Sequence, residues 1–153
     1  IDHFLKAAER APQAGYTYLQ LALLQALTGR LDDAERYARE AVDLQQRAMS
    51  GTQGLIVVGA HTRLGYVHYL RGHYEEAIRE YRRELNFLSL TDHALRDRSI
   101  IEVNQKLAAA YHRLDDADSA RTFGDSAVEA FDRRLAAGAD DPFTRYYVAA
   151  VHA

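Results

Sequence analysis

The strings Gly29-Arg30-Leu31-Asp32-Asp33-Ala34, Gly72-His73-Tyr74-Glu75-Glu76-Ala77 and Asp115-Asp116-Ala117-Asp118-Ser119-Ala120 begin at residues 29, 72 and 115, so one turn-like phrase recurs every 43 residues. A fixed period of this size builds stacked supersecondary units, each burying its apolar face only against its neighbours. The two prolines, Pro12 and Pro142, leave the chain between them free of that helix breaker. Tyr16, Leu19, Leu23 and Leu27 fall on one helical line and Tyr18, Leu21 and Gln25 on another, and Gly29 stops that helix. Asp32 with Glu35 reads as the cap of the next helix, whose stripe of Ala34, Tyr37, Ala38, Ala41, Leu44 and Ala48 runs to Gly51. One unit is thus a helical hairpin with a tight turn.

The same reading places the second pair of helices from about Leu55 to Arg71 and from Tyr74 to Leu90. The third pair runs from about Leu95 to Leu114 and from Ala117 to Ala137, with Asp115 in the turn place of Gly29 and Gly72. A strand over Leu55–Val58 would interrupt the period. Ala22, Gly65 and Ala108 recur in the first helices, and Ala34, Ala77 and Ala120 in the second; small side chains there let helix backbones approach closely. Continuing the period, Asp141-Pro142 starts a last helix over residues 141–153, either half a unit or a cap. Residues 3–11 read as the tail of a preceding helix or a cap, and the array is expected to extend beyond this chain.

With 48% hydrophobic and 27% charged residues, the chain reads as a soluble folded domain. Its net charge of -3 argues against bulk attraction to nucleic acid or anionic membrane, and acids alternate with bases along the second helices as on a solvated face. The longest apolar run, Leu55–Val58, is far too short to span a bilayer, and the lack of cysteine removes disulfides and thiolate metal sites. No nucleophile–base–acid grouping or Gly-rich phosphate loop is present. His61 and His68 lie about 10 Å apart along a helix, too far to share a metal, and read as packed side chains. Asp115, Asp116 and Asp118 lack the rest of a calcium loop. No cofactor, metal or catalytic residue is expected, and the expected location is the cytoplasm.

These residues resemble the tetratricopeptide repeat family. The matching positions in the second copy are His61, Leu64, Gly65, His68, Gly72, Tyr74, Ala77, Tyr81 and Leu85. The first copy contributes Tyr18, Leu21, Ala22, Gln25, Gly29, Leu31, Ala34, Ala38, Ala41 and Val42, and the third Asn104, Leu107, Ala108, Tyr111, Asp115, Ala117, Ala120, Gly124, Ala127 and Val128. The resemblance implies an all-α, right-handed superhelical solenoid of antiparallel helical hairpins, here one domain with units at about 15–51, 52–94 and 95–138. The 43-residue repeat is longer than the family's common 34 and is similar to the long variants of kinesin light chain and some bacterial regulatory proteins. Glu84 stands where alanine is expected and Gly124 where a larger residue is usual, which predicts looser packing at both.

By the same resemblance the first helices line a concave groove. It would carry Tyr16, Leu19, Gln20 and Leu23, then Thr62, Arg63, Tyr66 and Tyr69, then Glu102, Gln105, Lys106, Ala109, His112 and Arg113. Arg63, Lys106 and Arg113 make part of that strip basic, which suits an extended or helical peptide with acidic groups. Tyr37, Tyr81 and Tyr111 instead fill seams between helices. The lysine–asparagine clamp that some members use on a peptide C-terminus is lacking, since Leu19, Leu23 and Arg63 occupy its places. The expected function is a non-catalytic module binding a protein or peptide in the groove. The alternatives are a ligand- or signalling-peptide-sensing regulatory domain and a structural module that self-associates through its terminal repeats.

Overall fold

The computed structural model describes residues 1–12, 14–51 and 56–151, and the described residues form eight helices and no strand. The fold is all-α, with neighbouring helices packed on one another. Contacts divide it into two compact units, residues 1–73 and 74–153. The first holds α1 (Asp2–Arg10), α2 (Gly15–Leu27), α3 (Leu31–Met49) and α4 (Ala60–Leu70); the second holds α5 (Tyr74–Leu90), α6 (Arg96–Arg113), α7 (Ala117–Ala136) and α8 (Pro142–Val151).

The recurring phrase is one physical device used three times. Gly29, Gly72 and Asp115 all have positive φ (76°, 78° and 58°), and Asp115 is the one non-glycine with that geometry among the described residues. After each, the next amide reaches back five residues: Arg30 N donates to Gln25 O at 2.9 Å, His73 N to His68 O at 3.0 Å and Asp116 N to Tyr111 O at 3.1 Å. This bond satisfies a helix-terminal carbonyl and requires the left-handed residue before it. In each copy the next helix starts with the residue that follows this amide, which is why the hairpin turn is so short.

The start of α3 departs from expectation. The helix begins at Leu31, so Asp32 lies inside its first turn and cannot cap it; the N-cap is Arg30, with no side-chain cap bond. Asp32 instead accepts from Arg71 at 2.6 Å, and Arg71 also pairs with Glu35 at 2.9 Å. In the third copy a side-chain cap does form, with Asp116 Oδ1 accepting from Ser119 N at 3.0 Å.

The second first-helix is also shorter than expected. It starts at Ala60, after Gly59 with φ +97°, and not at Leu55, which lies outside the described residues. Residues 56–58 are neither helix nor strand. Val57 and Val58 are buried at 1% and 5% exposure because they plug the core over the start of α2. Gln45 Nε2, itself buried, donates to Val57 O at 2.7 Å, and a Cβ on Gly15 would sit 2.2 Å from Val57 Cγ2. The core of this unit joins Leu19, Leu21 and Ala22 to Tyr37, Ala38, Ala41 and Val42, and then to Val57, Ala60 and Leu64. Phe4, Leu5 and Ala8 of α1 rest on it.

In the second unit α6 packs against α5, α7 and α8 through a face that includes Ile101, Val103, Leu107 and Ala110, all fully buried. Looser packing is not found at the two unusual residues. Glu84 is fully buried, and a Cβ on Gly124 would meet Val151 Cγ1 at 3.0 Å, so the missing side chain admits α8. That helix starts as its sequence predicts, with Asp141 Oδ1 accepting from Phe143 N and Thr144 N, both at 3.1 Å.

Candidate interaction surface

α2 and α4 pack directly on each other, and their outward residues form the candidate surface of the first unit. Tyr16, Gln20 and Leu27 are exposed on α2, Leu27 by 65%, with Leu23 half-buried. On α4, Leu70 is 40% exposed and Arg63, Tyr66 and Tyr69 are half-buried. Gln20 and Leu27 stand seven residues apart, as do Arg63 and Leu70, so each pair shares one helix face two turns apart. Leu19 and Thr62, placed on this strip by sequence reasoning, are 5% and 3% exposed. Leu19 belongs to the core cluster, and neither offers a side chain outward. Tyr66 packs its ring partly against Ala26, Ala34 and Val67.

The expected basic strip resolves into unlike environments. In the second unit Lys106 pairs with Glu102 across one turn of α6 at 3.9 Å, both side chains about one-fifth exposed (17% and 22%). Arg113 Nε donates to Tyr74 Oη at 3.0 Å, with the guanidinium over that ring at 5.3 Å. Gln105 is half-buried and His112 exposed. Arg63, in the first unit, forms no ion pair among the described residues, and its Nε is buried without an acceptor there. α2 carries no charged residue and α4 no acid, so Arg63 is the one arginine, lysine, aspartate or glutamate on these two helices.

Elsewhere polar groups are consumed by packing. Burial works to raise the Glu35 carboxyl. The hydrogen bond from Arg39 and the charges of Arg39, Arg71 and His68 outweigh it and hold the group below its ordinary value. Burial, with the charge of Glu40, pushes the Tyr18 hydroxyl up, and its ring lies 6.4 Å from that of Tyr37. Tyr37 and Tyr81 are core residues at 8% and 1% exposure, while Tyr111 stacks on Phe123 at 5.4 Å and takes a 2.7 Å bond from Arg82. His61 is buried. Among the described residues no three His, Asp or Glu side chains cluster as a metal site, and no helix is long and apolar enough to cross a membrane.

Sequence reasoning missed three surface features. Leu27 shares a helical line with Tyr16, Leu19 and Leu23 but was not placed in the groove with them, and Leu70 was not singled out; their shared place in the period was the available signal. The third is a hollow of about 410 Å³ lined by Pro142, Phe143, Tyr146 and Tyr147 on α8, where Phe143 and Tyr146 are 58% and 68% exposed.

The tetratricopeptide repeat family model matches residues 15–40 and 58–83. The two matches begin as far apart as the turns at Gly29 and Gly72, and each takes in a first helix, its turn and the opening of the next helix. No curated protein matches the chain.

Proposed function

We propose, from the premise that this chain is a tetratricopeptide repeat protein, that it is a non-catalytic module holding a peptide or protein segment against the outer face of its first-of-pair helices. Repeats of this family mediate protein–protein contact. The observation that carries the reading here is the α2–α4 face, where Leu27 and Leu70 stay 65% and 40% exposed at matching places on helices that also carry Tyr16 and Tyr66. Aromatic and apolar side chains grouped with a single arginine are what a partner's anchor residue needs. In this reading both units belong to one repeat domain of long, 43-residue hairpins acting in the cytoplasm, and Gln105, Lys106, His112 and Arg113 of α6 are candidate contacts of the second unit in their own right.

The test is selection of a random dodecapeptide display library on the immobilised chain. Enriched clones should bind a Leu27→Glu, Leu70→Glu double variant at least about tenfold more weakly. Equal binding to a double variant with native circular dichroism would refute the face. The α8 hollow supports a second reading, self-association through that end. It predicts a sedimenting dimer or oligomer that dissociates on Phe143→Ser, Tyr146→Ser substitution.

A further inference from the structure

Resting on the reading that α2 and α4 present a peptide-binding face, we infer that the partner segment carries an acidic side chain held by Arg63 and, about 10 Å away, a large apolar residue seated on Leu27 and Leu70. Five arginines are half-buried: Arg63, Arg71, Arg96, Arg98 and Arg134. Arg71 holds Asp32 and Glu35, Arg96 holds Asp97 and the Leu88 carbonyl, Arg134 holds Asp141, and Arg98 lies over the Phe143 ring at 4.3 Å. Arg63 has no such counterpart among the described residues, although its Nε is shut off from solvent. Arg134 Nε is likewise closed off without an acceptor, so what sets Arg63 apart is that its guanidinium has neither an ion pair nor a ring partner among the described residues.

Neither helix of the face can supply that acceptor as a charge. The α2 sequence from Gly15 to Leu27 is uncharged, and the rest of α4 offers only His61 and His68. Of the acids on α3, Asp32, Asp33 and Glu35 are taken up by Arg71, Arg36 and Arg39. Because Nε is closed to solvent, a carboxylate from outside meets the two Nη groups with two parallel hydrogen bonds, a match that a lysine cannot make. The apolar part of the motif follows from the register. Arg63 and Leu70 lie two turns apart on one face of α4, and Leu27 holds the same place on α2 as Leu70 does on α4. A span of about 10 Å corresponds to three residues of an extended segment or seven of a helix. The partner is therefore a peptide with Asp or Glu three or seven residues from a Leu-sized side chain.

The same display selection tests this when its clones are sequenced and synthesised. The expected result is enrichment of that acidic–apolar spacing, with binding weakened about tenfold or more when the peptide's acid is changed to its amide. Arg63→Gln should bind acid and amide peptides alike, while Arg63→Lys, which keeps the charge and the apolar stem, should bind more weakly but retain the preference. Circular dichroism checks that both variants fold; if Arg63→Gln does not, the lysine variant decides alone. Two results overturn the inference and leave the face standing: enriched peptides without acids that are lost on Leu27→Glu, Leu70→Glu, or an acid preference that survives Arg63→Gln. No enrichment at all refutes the face and the inference together.

Discussion

Gly15→Ala tests how the α2–α4 face is held. A Cβ built on Gly15 lies 2.2 Å from Val57 Cγ2, 3.3 Å from Val57 Cβ and 3.4 Å from Val57 Cγ1. Reaching ordinary contact requires about 1 Å of movement, and Val57 has little freedom to give it. It is 1% exposed, and the buried Gln45 side chain holds its carbonyl at 2.7 Å. Overpacking of this kind costs about 1–3 kcal/mol, offset by about 0.4–1 kcal/mol because alanine restricts the unfolded chain, for a net loss of about 1–2 kcal/mol. Val57→Ala alone removes two buried methyl groups and leaves a cavity, costing about 2 kcal/mol. It also removes the atom at 2.2 Å, and the remaining 3.3 Å contact is tolerable. In the double variant the new methyl occupies part of the space Val57 vacates, so its loss should fall short of the summed single losses by about 1–2 kcal/mol. Urea unfolding followed by circular dichroism measures all four corners of the cycle. Additivity within about 0.5 kcal/mol would show that Gly15 is not kept small by Val57, and the account of how α2 meets residues 56–58 would fail.

Asp115→Gly should stabilise the chain by about 1 kcal/mol and Asp115→Ala should not, because φ is +58° and only glycine occupies that region without penalty; thermal unfolding separates the two. Glu35 is held below its ordinary 4.5, so its contribution to stability is full above that value and is lost as pH falls through the lower folded value. Glu35→Gln should therefore lower the melting temperature near neutrality, with the gap to the parent chain closing in acid; a gap that is constant with pH would contradict this. Asp141→Ala removes the bonds to two α8 amides and the pair with Arg134, and should cost about 1 kcal/mol or more, read as faster hydrogen exchange confined to residues 142–151.

The turns were the most legible part of the fold because they depend on local backbone chemistry. A left-handed residue followed by a back-bonding amide needs only glycine, or an aspartate that tolerates positive φ, and that requirement is written in the phrase at Gly29, Gly72 and Asp115. Helix starts were less legible. Asp32 reads as a cap, yet only the residue just before the first turn, the place of Asp116 in the third copy, can reach the free amides, and a shift of two positions turned Asp32 into a partner for Arg71. The run Leu55–Val58 misled for another reason. Apolar residues before a helix pattern read as its continuation, whereas Gly59 breaks the chain there and Val57 and Val58 serve as a plug.

The surface was harder to read than the fold because helical periodicity identifies a face without saying how far along the helix that face is covered. Leu19 and Leu27 lie on the same line of α2; Leu19 belongs to the core cluster that holds Tyr37, Ala38 and Val57, while Leu27 is two residues from the turn glycine and 65% exposed. Nothing intrinsic to a leucine distinguishes the two. Charge has the same ambiguity. Arg63, Lys106 and Arg113 look alike as a sequence pattern, but Lys106 has Glu102 one turn away and Arg113 has Tyr74, whereas Arg63 is flanked on both helices by residues that cannot neutralise it. What a partner can recognise here is set less by which residues are basic or apolar than by which of them the fold leaves uncompensated, and that quantity appears only when every potential counterpart has a position.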